Sequence, residues 1–317
     1  MVGHTQQLVL DSAEKIFANG CNKSVLDAAE VGQFPEALWA LVRENGFHLL
    51  ALPGSGAELE DVFAVLKIAG RYALPLPLAE VLLANRWLNH DGDELISIGL
   101  MRDSQVVEVP WGRQASRCVA VNAQNELMEV TGGDLRRRSN LAGEPRDVLI
   151  EVQSSIVHVE EPVFELMALS RVALSAGALQ RVLELGLQYA TEREQFGRTI
   201  SKFQAIQHTL AVVAAEVAAV LRSADAAVEA IGDARFAMEV ATAKARTGEA
   251  VGIVAEAVHQ VHGAMGFTYE HELHHFTRRL WAWREEYGNE VYWQARLGRH
   301  ICALGADNVW DFLATRA

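Results

Sequence analysis

Residues 189–208, YATEREQFGRTISKFQAIQH, interrupt an alanine-rich apolar helical run with Arg193, Glu194, Gln195, Phe196, Gly197 and Arg198 before Phe203-Gln204-Ala205-Ile206 resumes it. A glycine inside a helix costs about 1 kcal/mol relative to alanine, so the break calls for a compensating use. Two readings compete. In one, the break is a solvated turn with Phe196 plugging the core. In the other it is a ligand loop: Arg193 grips a phosphate bidentately, Gly197 lets backbone come close, and Gln204 hydrogen-bonds a heterocycle or carbonyl. A second stretch, QVHGAMGF at 260–267, again breaks an apolar helix, here with Gly263 and Gly266. Such a glycine loop can receive phosphate oxygens. It is not a dinucleotide fingerprint, because no strand feeds it and the third glycine is missing. Alone it reads as a helix–helix corner; two such loops in one helical block are more informative.

A third pattern points to different chemistry. His271-Glu272-Leu273-His274-His275 spells HExxH, in which two histidines one helical turn apart bind zinc and the glutamate activates water. A zinc site also needs a third ligand on a defined downstream element, and Glu285, Glu286 and Glu290 are not distinctive in that role. The pattern is therefore read as a polar helix start whose histidines touch neighbouring helices, and no metal is expected.

These segments need elements to hold them. Residues 1–92 show helical spacing: LVLDSAEKIF, then FPEALWALVRENGF with Pro35 in its first turn and Gly46 at its stop, LEDVFAVLKIAGRY ahead of Pro75 and Pro77, and LAEVLLANRWL. Between 93 and 161 the period changes. ELISIGL, QVVEVPW, RCVAVNA, ELMEVT and VLIEVQ are short β-rich runs separated by turns such as Gly132-Gly133. Trp111, within this region, is read as sheet core. From Pro162 to the end the chain is helical, and its first stretch is apolar around most of its circumference, as in a buried helix. The expected fold is mostly α: an N-terminal helical domain (1–92), a reduced β-domain (93–161) and a C-terminal four-helix bundle (162–317). Lys244 and Arg246 are read as solvated bundle residues.

The 317 residues are 50% hydrophobic and 22% charged, with a net charge of −13. That suits a soluble globular protein and argues against a broad nucleic-acid or membrane surface. No 18-residue apolar run or charged-then-apolar leader stands out, so a cytoplasmic location is expected. Cys21, Cys118 and Cys302 are odd in number and far apart, which reads as free thiols in a reducing compartment.

The two broken-helix segments, spaced some fifty residues apart, resemble the C-terminal bundle of the acyl-CoA dehydrogenases. The first is similar to the family's RxxFG-plus-HQ signature, with Phe203 where histidine is common. The second is similar to its QxxGGxG signature, with Ala264 in place of one glycine. LWALVRENGFHLLALPGSG resembles the family's opening, and the order of helical, β and helical parts agrees along nearly the whole chain.

The resemblance implies an FAD-dependent α,β-desaturation of an acyl-CoA. It also implies that Arg193, Phe196, Gly197, Gln204, Gln260, Gly263 and Gly266 reach, across a dimer interface, the ADP half of a flavin held by the other subunit. The departures matter too. The β-region is short and lacks the family's isoalloxazine-holding segments. The family's base positions fall on Tyr287, one residue after the candidate base Glu286, and near Met167, close to Glu165. The pattern resembles the short branch of the family linked with steroid side-chain degradation. It implies a shortened subunit working with a full-length acyl-CoA dehydrogenase partner as a dimer of dimers. A self-sufficient homotetramer using Glu286 is the alternative within the family. A zinc hydrolase and a non-enzymatic helical scaffold stand outside it.

Overall fold

A computed structural model describes residues 4–122 and 124–315. The chain forms two compact units, Met1–Ala178 and Leu179–Ala317, and the division falls inside the helix that begins after Pro162.

The first unit opens with helices α1 (His4–Gly20), α2 (Lys23–Glu30), α3 (Glu36–Glu44), α4 (Leu59–Arg71) and α5 (Leu78–Leu88). Their ends follow local chemistry. The Asn22 side chain accepts from the Val25 N–H at the start of α2, and Glu58 and Asp61 make a reciprocal capping box on α4. Pro35 sits one residue ahead of α3, and Gly46, in the left-handed region at φ +72°, follows its end. Helix α6 (Val163–Glu192) begins directly after Pro162. It meets α4 at two glycines: a Cβ on Gly70 would lie 1.9 Å from the Leu174 carbonyl oxygen, and one on Gly177 would lie 1.8 Å from that of Lys67. Nearby, Arg171 and Glu80 form a fully buried ion pair.

Between α5 and α6 lies a seven-stranded sheet: β1 (Ile96–Arg102), β2 (Gln105–Pro110), β3 (Arg117–Val121), β4 (Leu127–Thr131), β5 (Asp134–Arg136), β6 (Arg146–Ile150) and β7 (Gln153–Val157). Its order is β5-β6-β2-β1-β3-β4-β7; β1 pairs parallel with β3, and the other pairs are antiparallel. The five β-rich runs of the sequence become β1, β2, β3, β4 and β6. The edge strands β5 and β7 escape a pattern search because they are short or polar and lie mostly exposed. Trp111 is core, as expected: it is buried, donates its indole N–H to the Pro75 carbonyl (3.0 Å), and stacks edge-on against Phe34.

The second unit contains the end of α6, a small hairpin of β8 (Glu194–Gln195) and β9 (Arg198–Thr199), and helices α7 (Gln204–Glu229), α8 (Phe236–His262), α9 (Leu273–Glu285), α10 (Glu290–Leu304) and α11 (Ala306–Thr315). Helix α8 is buried along its length and packs against α7, α9 and α10 in the expected helical bundle. Two charged residues differ from expectation. Lys244 is 2% exposed, and its ammonium donates to the carbonyls of Trp283 (3.2 Å) and Arg284 (3.0 Å), satisfying orphan acceptors at the end of α9. Arg246 pairs with Glu216 and Glu249. Both are structural ties, which an exposed-looking pattern of lysine and arginine between alanines conceals. Helix α6 also corrects the reading that no long apolar run exists. It could cross a membrane by length and composition, but 83% of its most apolar window is buried within the protein, as in a core helix.

Candidate functional site

The break at 193–203 is an ordered structure. Helix α6 ends at Glu192, the Arg193 N–H still donates to the Tyr189 carbonyl (2.9 Å), and the Ile200 N–H donates to the Arg193 carbonyl (2.9 Å). These bonds close a hairpin whose two-residue loop is Phe196-Gly197, with φ of +53° and +78°. Two consecutive left-handed residues give the twist that tight hairpins favour. Gly197 adopts this freely, whereas a phenylalanine there is strained by about 1–3 kcal/mol. Phe196 is nevertheless 91% exposed, so it is not the core plug that one reading of the sequence proposed. A strained aromatic held out in water is a feature that needs a ligand or a partner to explain it.

Beside the hairpin lies a groove of about 700 Å³. The end of α6 contributes Tyr189 and Arg193, the hairpin Gln195 and Phe196, the start of α7 Ala205 and Ile206, and the end of α8 with the following turn Gln260, His262 and Gly263. Arg193 makes no ion pair among the described residues, so its guanidinium is available to an anion. Helix α7 starts at Gln204 with Phe203 in the cap position and no side-chain cap. Its first N–H groups and the positive end of its dipole are therefore unspent. Phe203 is covered by Phe196 (6.2 Å, edge-on) and by the Arg198 guanidinium at 4.2 Å from its ring centre. The groove thus combines aromatic faces, one unpaired guanidinium, an uncapped helix start and a polar amide. Together these suit an aromatic heterocycle joined to phosphate.

One lining residue, His262, belongs to a histidine cluster. His262 is 2% exposed and stacks on Tyr189 at 4.4 Å. Its Nδ1 lies 2.8 Å from the Val258 carbonyl, which can only accept, so Nδ1 carries the proton. Burial lowers its pKa, partly opposed by that hydrogen bond and reinforced by His271 and His259. Burial likewise lowers the pKa of His259 and of His271, so the cluster is held towards its neutral form.

The structure gathers Arg193, Phe196, Gln260 and Gly263 around the groove. Gly263, at φ +58° and ψ −142° with open space where a Cβ would lie, turns the chain out of α8. Three expected residues lie differently. Gly197 forms the hairpin turn without lining the groove. Gln204, the first residue of α7, is exposed and lies 3.5 Å from His208. Gly266 is buried, and an added Cβ would lie 2.8 Å from the Cβ of His262, so its local role is to let the short 3-10 turn Gly263–Phe267 pack against α8. Glu286 is buried at the end of α9 and is not part of the groove; Tyr287, at φ +56°, takes the turn that follows. Glu165 and Met167 are buried in the first unit. Tyr189, His262 and the uncapped start of α7 were not singled out from the sequence, although Phe203 before Gln204, where a capping serine or aspartate would serve, was a readable sign.

The HExxH pattern does not have its zinc geometry. Helix α9 begins at Leu273, so His271 and Glu272 precede it, and His271 does not stand one helical turn from His275. Its Nδ1 instead accepts from the Leu273 N–H (3.1 Å), and its ring packs edge-on against His262. Among the described residues His271 belongs to no group of three close metal-ligating atoms.

Residues 159–292 match the family model described as acyl-CoA dehydrogenase, C-terminal domain. The chain is 27% identical over 299 residues to the acyl-CoA dehydrogenase IpdE2 of Mycobacterium tuberculosis, covering 86% of this chain and 90% of that one. It shares its fold with a chain of the ChsE4-ChsE5 complex of M. tuberculosis (TM-score 0.85, 21% identity, 96% of this chain and 99% of that chain). It shares it as well with a chain of the Tcur3481-Tcur3483 steroid ACAD (TM-score 0.84, 20% identity, 96% and 99%). Over residues 159–292 the chain is thus similar to the C-terminal domain of the acyl-CoA dehydrogenases, and along nearly its whole length it has their fold.

Proposed function

We propose that this chain is the shortened subunit of a heteromeric, FAD-dependent acyl-CoA dehydrogenase, lending its groove to the ADP half of a flavin held by a full-length partner. The observation that carries the reading is Phe196, strained, exposed and set beside the unpaired Arg193 at the mouth of the groove. In that role Arg193 and the start of α7 would hold the pyrophosphate, Phe196 and Tyr189 would cover the adenosine, and Gln260 would donate or accept at a polar edge. The backbone turn at Gly263 would allow close approach. The bound flavin would supply the electron acceptor for α,β-desaturation of a fatty-acyl or steroid side-chain CoA thioester. This chain's residues would position it and keep water from its adenosine end. Relatives named as two-component assemblies, one of them a steroid ACAD, support the heteromeric form. A cytoplasmic location accompanies the reading and rests on the free cysteines and the acidic composition.

The test is co-expression with a full-length acyl-CoA dehydrogenase from the same source, followed by native mass measurement. The reading expects a complex of two short and two long chains carrying flavin. A homotetramer of this chain that carries flavin on its own would instead support the self-sufficient enzyme with Glu286 as base.

A further inference from the structure

We propose that a second cleft, between the end of α2 and the loop joining β5 to β6, binds a small molecule through a phosphate or pyrophosphate group. It belongs to the Met1–Ala178 unit and owes nothing to the flavin reading. The cleft encloses about 430 Å³ and is lined by Glu30, Gly32, Arg113, Arg137, Arg138 and Ser139, among others.

The arginines are arranged for an anion. Asp147, fully buried, accepts from Arg113 Nε (3.0 Å), from Nη2 (2.6 Å) and from the Arg113 backbone N–H (2.8 Å). Arg113 Nη2 also donates to the Arg138 carbonyl (3.1 Å), so the guanidinium plane is fixed on two sides. Its remaining nitrogen, Nη1, faces Gly32, where a Cβ would approach it to 2.9 Å. A side chain at this position would crowd that edge of the guanidinium, and the backbone at φ +85° favours glycine there as well. Asp147 also accepts from the Arg138 N–H (3.1 Å), so one buried carboxylate sets both Arg113 and the backbone from which Arg138 projects.

Arg137 and Arg138 make no side-chain ion pair among the described residues, and both are exposed. In a chain of net charge −13, two consecutive unpaired arginines beside a third, pre-oriented one are out of keeping with the surrounding charge. Asp147 neutralises Arg113, and Glu30 is the acidic side chain on the cleft wall, so the two free guanidiniums leave the cleft positive. Its concave form and its volume fall in the range of small-ligand sites rather than flat protein-docking faces. Forked guanidiniums with the Ser139 hydroxyl nearby match the several acceptors of a phosphate.

The experiment is isothermal titration calorimetry of the full chain with inorganic pyrophosphate, at low and at near-physiological salt. Arg137→Ala/Arg138→Ala is expected to weaken binding roughly tenfold or more and to flatten its salt dependence, with an unchanged melting temperature because both side chains are exposed. Arg193→Ala, in the other groove, is expected to leave this binding intact. Any of three results overturns the proposal: no saturable binding by the wild type, undiminished binding by the double variant, or loss of binding in Arg193→Ala alone. Saturation by a poly-glutamate peptide without saturation by pyrophosphate also overturns it and makes the face a protein-docking surface.

Discussion

Replacing Arg193 by alanine isolates the electrostatic part of the groove. Arg193 has no carboxylate partner among the described residues, so its removal breaks no internal ion pair, and the melting temperature of the isolated chain should not change. Its backbone N–H bond to Tyr189 also survives the substitution. A hydrogen bond from a guanidinium to phosphate contributes about 1.5–3 kcal/mol, which corresponds to about a 10- to 150-fold loss of affinity. Because the side chain is solvent-exposed, screening favours the lower end. The uncapped start of α7 remains in the variant, so binding should be weakened and not abolished. Arg193→Lys should fall between, since it keeps the charge and loses the fork. The assay is the flavin dissociation constant of the assembled complex, read by recovery of free-flavin fluorescence on dilution and repeated at two salt concentrations. A dissociation constant within twofold of wild type, with the same salt dependence, would refute the assignment of Arg193 to phosphate.

Phe196→Asn replaces a strained aromatic with a residue that tolerates the left-handed region, so the melting temperature should rise by an amount equivalent to about 1 kcal/mol while flavin retention falls; a fall in both would show that Phe196 stabilises the fold. Gly177→Ala drives a methyl group into the Lys67 carbonyl and should destabilise the chain by about 1–3 kcal/mol in urea unfolding, whereas Gly298→Ala, where space is open, should not. The buried His262 and the half-buried His259 and His271 have folded-state pKa values lowered below the ordinary value. The unfolded chain therefore takes up more protons as pH falls, and stability should be lost progressively below about pH 6.5. His262→Gln should shallow that loss, and an unchanged pH profile would remove His262 from the account.

Much of the architecture was legible because it rests on periodicity. Helix α5 runs over the same residues as its sequence pattern, Leu78–Leu88, and α6 starts directly after Pro162. What escaped was set by tertiary contacts. Lys244 sits on a helix whose pattern looks solvated, yet the carbonyls of Trp283 and Arg284, some forty residues away, decide its place. Gly266 reads as a ligand-approach glycine, but what crowds it is His262 beneath it, which only the fold of the 263–267 turn reveals. In the site, the residue types of Arg193, Phe196 and Gln260 pointed to a groove. The hairpin that thrusts Phe196 outward did not show in the sequence, because QFGR lacks the Asn-Gly or Asp-Gly that marks such turns. The HExxH spelling shows the converse: five residues matched a motif whose helix starts two residues too late.

The most direct test of the central claim is the visible absorption spectrum of this chain purified alone and after co-purification with a full-length acyl-CoA dehydrogenase. The account expects a colourless chain alone and a flavin band near one flavin per short–long pair in the complex, bleached by an acyl-CoA substrate. A stoichiometric flavin band in the chain alone, or a complex that forms without any flavin, would contradict it.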